Sequence, residues 1–185
     1  MKNKKGFFAI GMEGISKDRN AGAIFRTAHA FGADFTFAVN PNMDIKAMYG
    51  ADTSKTFSEV PFYQYEEPAD IQVPKNCAIV GVELCEDSII LPEFCHPTRA
   101  AYVMGPERGS LSPEMQARCD YIVKIPTKFC INVSVAAAIV VYDRISSIHK
   151  WHRRPLVPWG TPEPKLKHVS GGAVIRTRKQ KGYDI

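Results

Sequence analysis

The chain has 185 residues, 45% of them hydrophobic and 23% charged, with a formal net charge of +5. These are ordinary globular values, enough for one full domain with a sizeable core. No apolar run reaches the roughly 18 residues that a membrane span requires.

The chain opens with "MKNKKGFFAIGMEG", a basic start followed by an apolar stretch too short for a signal peptide. Residues 7–14 read as a strand, and "NAGAIFRTAHAFGA" (20–33) as a helix. In that helix Asn20 is placed to cap the start and Gly32 to end it. Ile24, Ala28 and Phe31 form one stripe at i, i+4, i+7, which should face the core. "FTFAVN" (35–40), "CAIVGVEL" (77–84), "RAAYVMG" (99–105) and "YIVKIP" (121–126) read as further strands. Their near-continuous Val, Ile, Phe and Ala content suits strands buried on both faces of a parallel sheet. "EEPADI" and "SPEMQARC" look like short connecting helices, the second starting at Ser112 with Pro113 behind it. The pattern gives an α/β fold, a parallel sheet flanked by helices. A soft boundary near Pro155 divides residues 1–154 from a basic extension, 155–185. Between Lys150 and Lys181 the one acidic residue is Glu163, among many Lys and Arg and two Trp. Such a tail is either a phosphate-backbone contact or a solvated appendage.

Five cysteines (Cys77, Cys85, Cys95, Cys119 and Cys130) form no C-x-x-C pair, and the His residues are scattered. That speaks against a metal site or a disulfide framework and for reduced thiols in a cytoplasmic protein.

Three stretches carry unusual polar content beyond predicted strands, where parallel sheets bind ligands. In the first, Gly22 and Arg26 share a helix face, four residues apart. Gly inside a helix costs about 1 kcal/mol, which suits either close backbone approach or tight helix packing. With Arg26 the face makes an anion-friendly corner. In the second, "VMGPERGSLSPEM" (103–115), Glu107 and Arg108 sit in a Gly-rich loop, where Glu107 either binds hydroxyls or makes an ion pair. Neither a phosphate-binding P-loop nor a dinucleotide fingerprint is present. In the third, "KIPTKFCINVSVAAAIVVYDR" (124–144), Asn132 stands at the mouth of an apolar helix. Asn is a good N-cap, which by itself explains its presence.

Taken in order, the three stretches resemble the motifs of the SpoU/TrmH branch of the SPOUT methyltransferases, over roughly residues 7–150. Asn20, Gly22 and Arg26 match the first motif. Gly105, Glu107 and the turn up to Leu111 match the second. Ile125, Pro126, Asn132, Val133, Ser134, Val135 and Ala136 match the third. Two positions depart from the pattern: Cys130 stands where Ser is usual, and Ser110 where Gly is usual. Cysteine is the weaker hydrogen-bond donor.

The resemblance implies a C-terminal trefoil knot, one of the rare exceptions to unknotted topology. It implies S-adenosyl-L-methionine as cofactor, a homodimer with a shared active site, and no metal. The implied reaction is methylation of a ribose 2′-hydroxyl in RNA, with tRNA favoured over rRNA. A catalytically silent RNA-binding relative is the alternative, and a small-molecule methyltransferase is disfavoured by the basic tail. The catalytic set carried over is Asn20, Arg26, Glu107 and Asn132. Val82, Gly105, Ile125, Cys130 and Ile131 are the expected cofactor contacts, and Gly22, Arg108 and Ser134 the expected substrate contacts.

Overall fold

Among the described residues seven strands make one parallel sheet: β1 (Phe7–Glu13), β2 (Phe35–Val39), β3 (Phe62–Tyr65), β4 (Ala78–Val82), β5 (Ile89–Ile90), β6 (Arg99–Met104) and β7 (Tyr121–Lys124). Their order across the sheet is β3-β2-β1-β6-β4-β7-β5. Among the described residues three α-helices flank it: α1 (Asp18–Phe31), α2 (Pro113–Arg118) and α3 (Val133–Ile148). The computed structural model describes residues 6–43 and 59–148, so the expected boundary at 154 and the basic segment 155–185 lie outside the described residues.

The apolar strands are apolar because both faces are covered. All five residues of β2 are buried. On β1, Phe8, Ile10 and Met12 face α1 and α3, joining Ile24, Phe25, Ala28, Val140, Val141 and Ile145 in one core. Ala9 faces the other way, packing with Phe35, Phe37, Ile79, Val103, Leu111 and Met115. Gly11 shares that second face, and a Cβ there would lie 2.3 Å from the Phe37 ring. The ring therefore lies across β1 where no side chain stands. Burying each large aliphatic or aromatic side chain contributes about 1.5–3 kcal/mol.

Helix α1 buries the stripe its sequence pattern assigns inward, with Ile24 and Ala28 fully buried and Phe31 packed at the edge. It ends at Gly32, which adopts φ 72° while its N–H bonds His29 O at 3.1 Å. That left-handed stop favours glycine.

Helix α3 buries Ala137, Val140, Val141, Arg144 and Ile145. Arg144 is 2% exposed at the amino ends of the strands. Its Nη1 donates to Pro97 O at 2.6 Å and Tyr102 Oη at 3.2 Å, and its Nη2 to Phe7 O and Thr98 O, both at 3.0 Å. Beside it, His96 Nε2 lies 2.9 Å from Asp143 Oδ2, and His96 Nδ1 lies 2.6 Å from Tyr102 Oη. A carboxylate only accepts, so Nε2 carries the hydrogen and Nδ1 accepts from the Tyr102 hydroxyl. Burial lowers the His96 pKa against the pull of Asp143, keeping the ring neutral near pH 7. None of this network was anticipated from the sequence; nor were β3, an edge strand, and β5, which has two residues.

Candidate functional site

The carboxyl ends of β4, β6 and β7 open on a cleft of about 300 Å³. Val82, Leu84, Met104, Ile125, Ile131 and Val133 give it apolar walls, and Asn20, Glu83, Glu107, Lys124 and Asn132 give it polar groups. A mainly apolar cleft with a few placed polar groups is the usual form of a small-molecule site.

The loop after β6 carries Glu107 to the start of α1. One carboxylate oxygen accepts from the Ser16 N–H at 3.0 Å and the Ser16 hydroxyl at 2.8 Å. The other accepts from the Lys17 N–H and from Asn20 Nδ2, both at 3.0 Å. Burial works against the charged form of Glu107. The Asn20 amide and the Ser16 donors outweigh it and hold the pKa below its ordinary value.

This corrects the expected cap. The residue at the N-cap of α1 is Lys17, and Asn20 lies inside the first turn. The side chain that fixes the entry to the helix is Glu107, from another loop. Asn20 is thereby released to face the cleft, and its Oδ1 accepts from Asn132 Nδ2 at 3.0 Å. Asn132 has both the expected capping role and a further one. Its Oδ1 accepts from the Ser134 N–H at 2.8 Å and the Ser134 hydroxyl at 2.6 Å, capping α3, while its amide nitrogen holds Asn20.

Three of the four residues expected to be catalytic are therefore joined in one chain, Glu107–Asn20–Asn132, on the rim of the cleft. The five expected cofactor contacts, Val82, Gly105, Ile125, Cys130 and Ile131, all line it. Arg26 does not line the cleft of its own chain. It is the ninth residue of α1, exposed, and about 9 Å along the helix axis from Asn20. It stands in the third turn of α1, beyond the helix N-terminus. Gly22 is buried in α1, Arg108 is exposed on the loop, and Ser134 reaches the site through Asn132.

Sequence reading missed Glu13 and Glu83. The Ser112 N–H donates to Glu13 Oε2 at 2.9 Å, and the Leu111 N–H donates to Glu83 Oε2 at 2.8 Å. Carboxylates from the two strands beside β6 thus grip consecutive amides where its loop ends. Ser112 also caps α2, accepting from the Met115 N–H at 3.0 Å, as its position before Pro113 implies. A signal existed: β1, β4 and β6 each run into a Glu at or just past their ends, in "GMEG", "GVEL" and "GPER".

The chain resembles known proteins in sequence and in fold. The chain is 27% identical over 153 residues to the 23S rRNA (guanosine-2'-O-)-methyltransferase RlmB of Acinetobacter baylyi, covering 77% of this chain and 61% of the relative. It is 27% identical over 137 residues to the tRNA (guanosine(18)-2'-O)-methyltransferase of Escherichia coli, covering 71% and 60%. The match thus spans about three fifths of these relatives' length. Among solved structures, the SpoU methyltransferase AviRb of Streptomyces viridochromogenes superposes with a TM-score of 0.69 at 20% identity, over 80% of this chain and 63% of that one. Residues 8–142 match the profile of the SpoU rRNA methylase family, and the chain belongs to that family.

Proposed function

We propose that this protein transfers a methyl group from S-adenosylmethionine to a ribose 2′-hydroxyl of RNA. The observation that carries the reading is the meeting of an apolar cleft with the Glu107–Asn20–Asn132 chain at its rim, in a member of this family. The cleft fits the cofactor. Val82, Ile125 and Ile131 offer apolar walls to an adenine, and Gly105 brings no side chain into the space beside them. The cofactor supplies a methyl already activated by its sulfonium.

The chain's own residues align the hydroxyl and ease loss of its proton, because a 2′-hydroxyl ionises far above neutral pH. Lys124 is not the base, since its Nζ donates to Cys85 O and Glu86 O, both at 3.0 Å. Arg26 holds the phosphate beside the target ribose and lowers the hydroxyl's pKa electrostatically. Asn20 and Asn132 orient the ribose, with Glu107 holding Asn20 in place, and Gly22, Arg108 and Ser134 belong to the RNA side.

Arg26 lies away from its own cleft, so in this reading it serves the cleft of a second subunit in a homodimer. The exposed stripe Val135, Ile139 and Tyr142 on α3 supports such a contact, being 49%, 37% and 55% exposed. A trefoil knot is part of the same reading. It is supported by β7 lying between β4 and β5, with residues 125–132 leading back from it to α3. The basic residues of the segment 155–185 add phosphate contacts. The protein acts in the cytoplasm, on the RNA there.

The test incubates the protein with methyl-labelled S-adenosylmethionine and purified tRNA, purified rRNA or no RNA. Label in tRNA is the expected result, and label in rRNA instead is the alternative. Label in neither RNA, under conditions where the cofactor binds, overturns catalysis and leaves the silent RNA-binding alternative.

A further inference from the structure

Two carboxylates line the cleft, and Glu107 is saturated by the entry to α1. Glu83 is not. It follows the last residue of β4, and its own N–H continues the ladder to Val123 O at 3.0 Å. Two backbone donors fix its side chain: the Leu84 N–H on Oε1 at 2.9 Å and the Leu111 N–H on Oε2 at 2.8 Å. An ionised carboxylate has about four acceptor positions, so lone pairs remain on both oxygens. A Cβ at Gly105 would lie 3.5 Å from Oε2, so glycine there leaves that oxygen uncovered.

The neighbours indicate the class of ligand. Val82 and Leu84 flank Glu83, and Ile125 and Ile131 line the same cleft. Apolar walls suit a flat heterocycle, and a pre-oriented pair of acceptor oxygens suits two adjacent hydroxyls attached to it. The same carboxylate repels a phosphate, which sets a nucleoside apart from a nucleotide.

We propose that Glu83 is a specificity residue that reads the ribose diol of the cofactor's adenosine. This rests on the reading of the cleft as the S-adenosylmethionine site. The test is calorimetric binding of S-adenosylhomocysteine and its 2′-deoxy and 3′-deoxy analogues to the wild type, Glu83→Gln and Glu83→Ala. The uncharged thioether removes any attraction between Glu83 and a sulfonium. Hydrogen bonds to a charged acceptor predict that the wild type loses about 10–100-fold in affinity for each deoxy analogue. Glu83→Ala should lose a similar factor for the parent ligand, and the deoxy penalty should shrink to within about threefold. Glu83→Gln keeps one oxygen for the Leu111 amide, so with thermal melting it separates a lost ligand contact from a disturbed loop. Equal deoxy penalties in wild type and variants, or none in the wild type, overturn the assignment while leaving the cleft's function intact. A wild type that binds no S-adenosylhomocysteine overturns the cleft reading itself, and this inference with it.

Discussion

Helix α3 is fastened at both ends by polar side chains, to the sheet at one end and to α1 at the other, and the two fastenings differ. At the amino ends of the strands Arg144 is 2% exposed, donates four hydrogen bonds and lies 5.4 Å and 5.7 Å from the Phe8 and Tyr102 ring centres. At the carboxyl ends Asn132 is exposed, and its side chain bonds Asn20 and Ser134. A buried network is costly to cut, because the partners left behind lose both protein and water. An exposed network is cheap to cut, and its groups remain available to a ligand. The first fastening serves stability and the second serves the site.

The largest expected effect breaks the buried end. Arg144→Ala leaves the carbonyls of Phe7, Pro97 and Thr98 without their guanidinium donor. Equilibrium denaturation should show a loss of about 3–5 kcal/mol. A loss under about 1 kcal/mol would mean that the two ends are energetically alike.

At the site, Arg26→Ala should reverse the pattern. Single-turnover methyl transfer should fall by on the order of 10²–10³, the cost of losing an electrostatic contact to developing charge. Stability should stay within about 0.5 kcal/mol, as for other surface changes, and cofactor affinity should hold. Arg26→Lys should recover little, lacking the planar fork. Near-normal transfer by Arg26→Ala would sink the mechanism.

Asn132→Asp separates the cap from the chemistry. The carboxylate still accepts from Ser134, so melting should change little. It can no longer donate to Asn20 Oδ1, and two acceptors then face each other, so turnover should fall about 10–100-fold. Equal losses of stability and turnover would make Asn132 only a helix cap.

Mild acid should weaken the buried end first. The His96 pKa is lowered on folding, so below its ordinary 6.5 the unfolded chain takes up the proton before the folded one does. The stability His96 contributes is fully present above that value and is lost as the pH falls through the lower folded value. Denaturation midpoints between pH 7 and 5.5 should fall for the wild type and fall less steeply for His96→Gln. Parallel slopes would remove His96 as the cause. The smallest effect is expected of Cys130→Ser. The thiol is exposed on the rim of the cleft, so turnover should hold or rise. A collapse would give the thiol a role of its own.

The legible parts of this fold are those set by local pattern. Strands buried on both faces, the inward stripe of α1, the stop at Gly32 and the cap at Ser112 all depend on neighbours in sequence. The edge strand β3 exposes its middle residues and β5 is too short to show a period, so neither had a signal. The cap of α1 was misassigned because its true partner is Glu107, 87 positions from Asn20. Cleft residues were legible through the family motifs. The roles of Glu13, Glu83 and Arg144 were not, because their partners, mostly backbone groups, are brought near only by the folded sheet.

The position of β7 has a consequence for the nascent chain. β7 pairs with both β4 and β5, but it is made last of the three. At ordinary translation speeds the roughly 40 residues from Val82 to Tyr121 take about 2–8 s to synthesise. Throughout that interval β4 presents an open edge, and β5 waits for its partner among the described strands. Open edges recruit other strands. A message truncated before the codon for Tyr121 would leave that edge open for good, so its product should aggregate or be degraded rather than persist as a smaller folded domain.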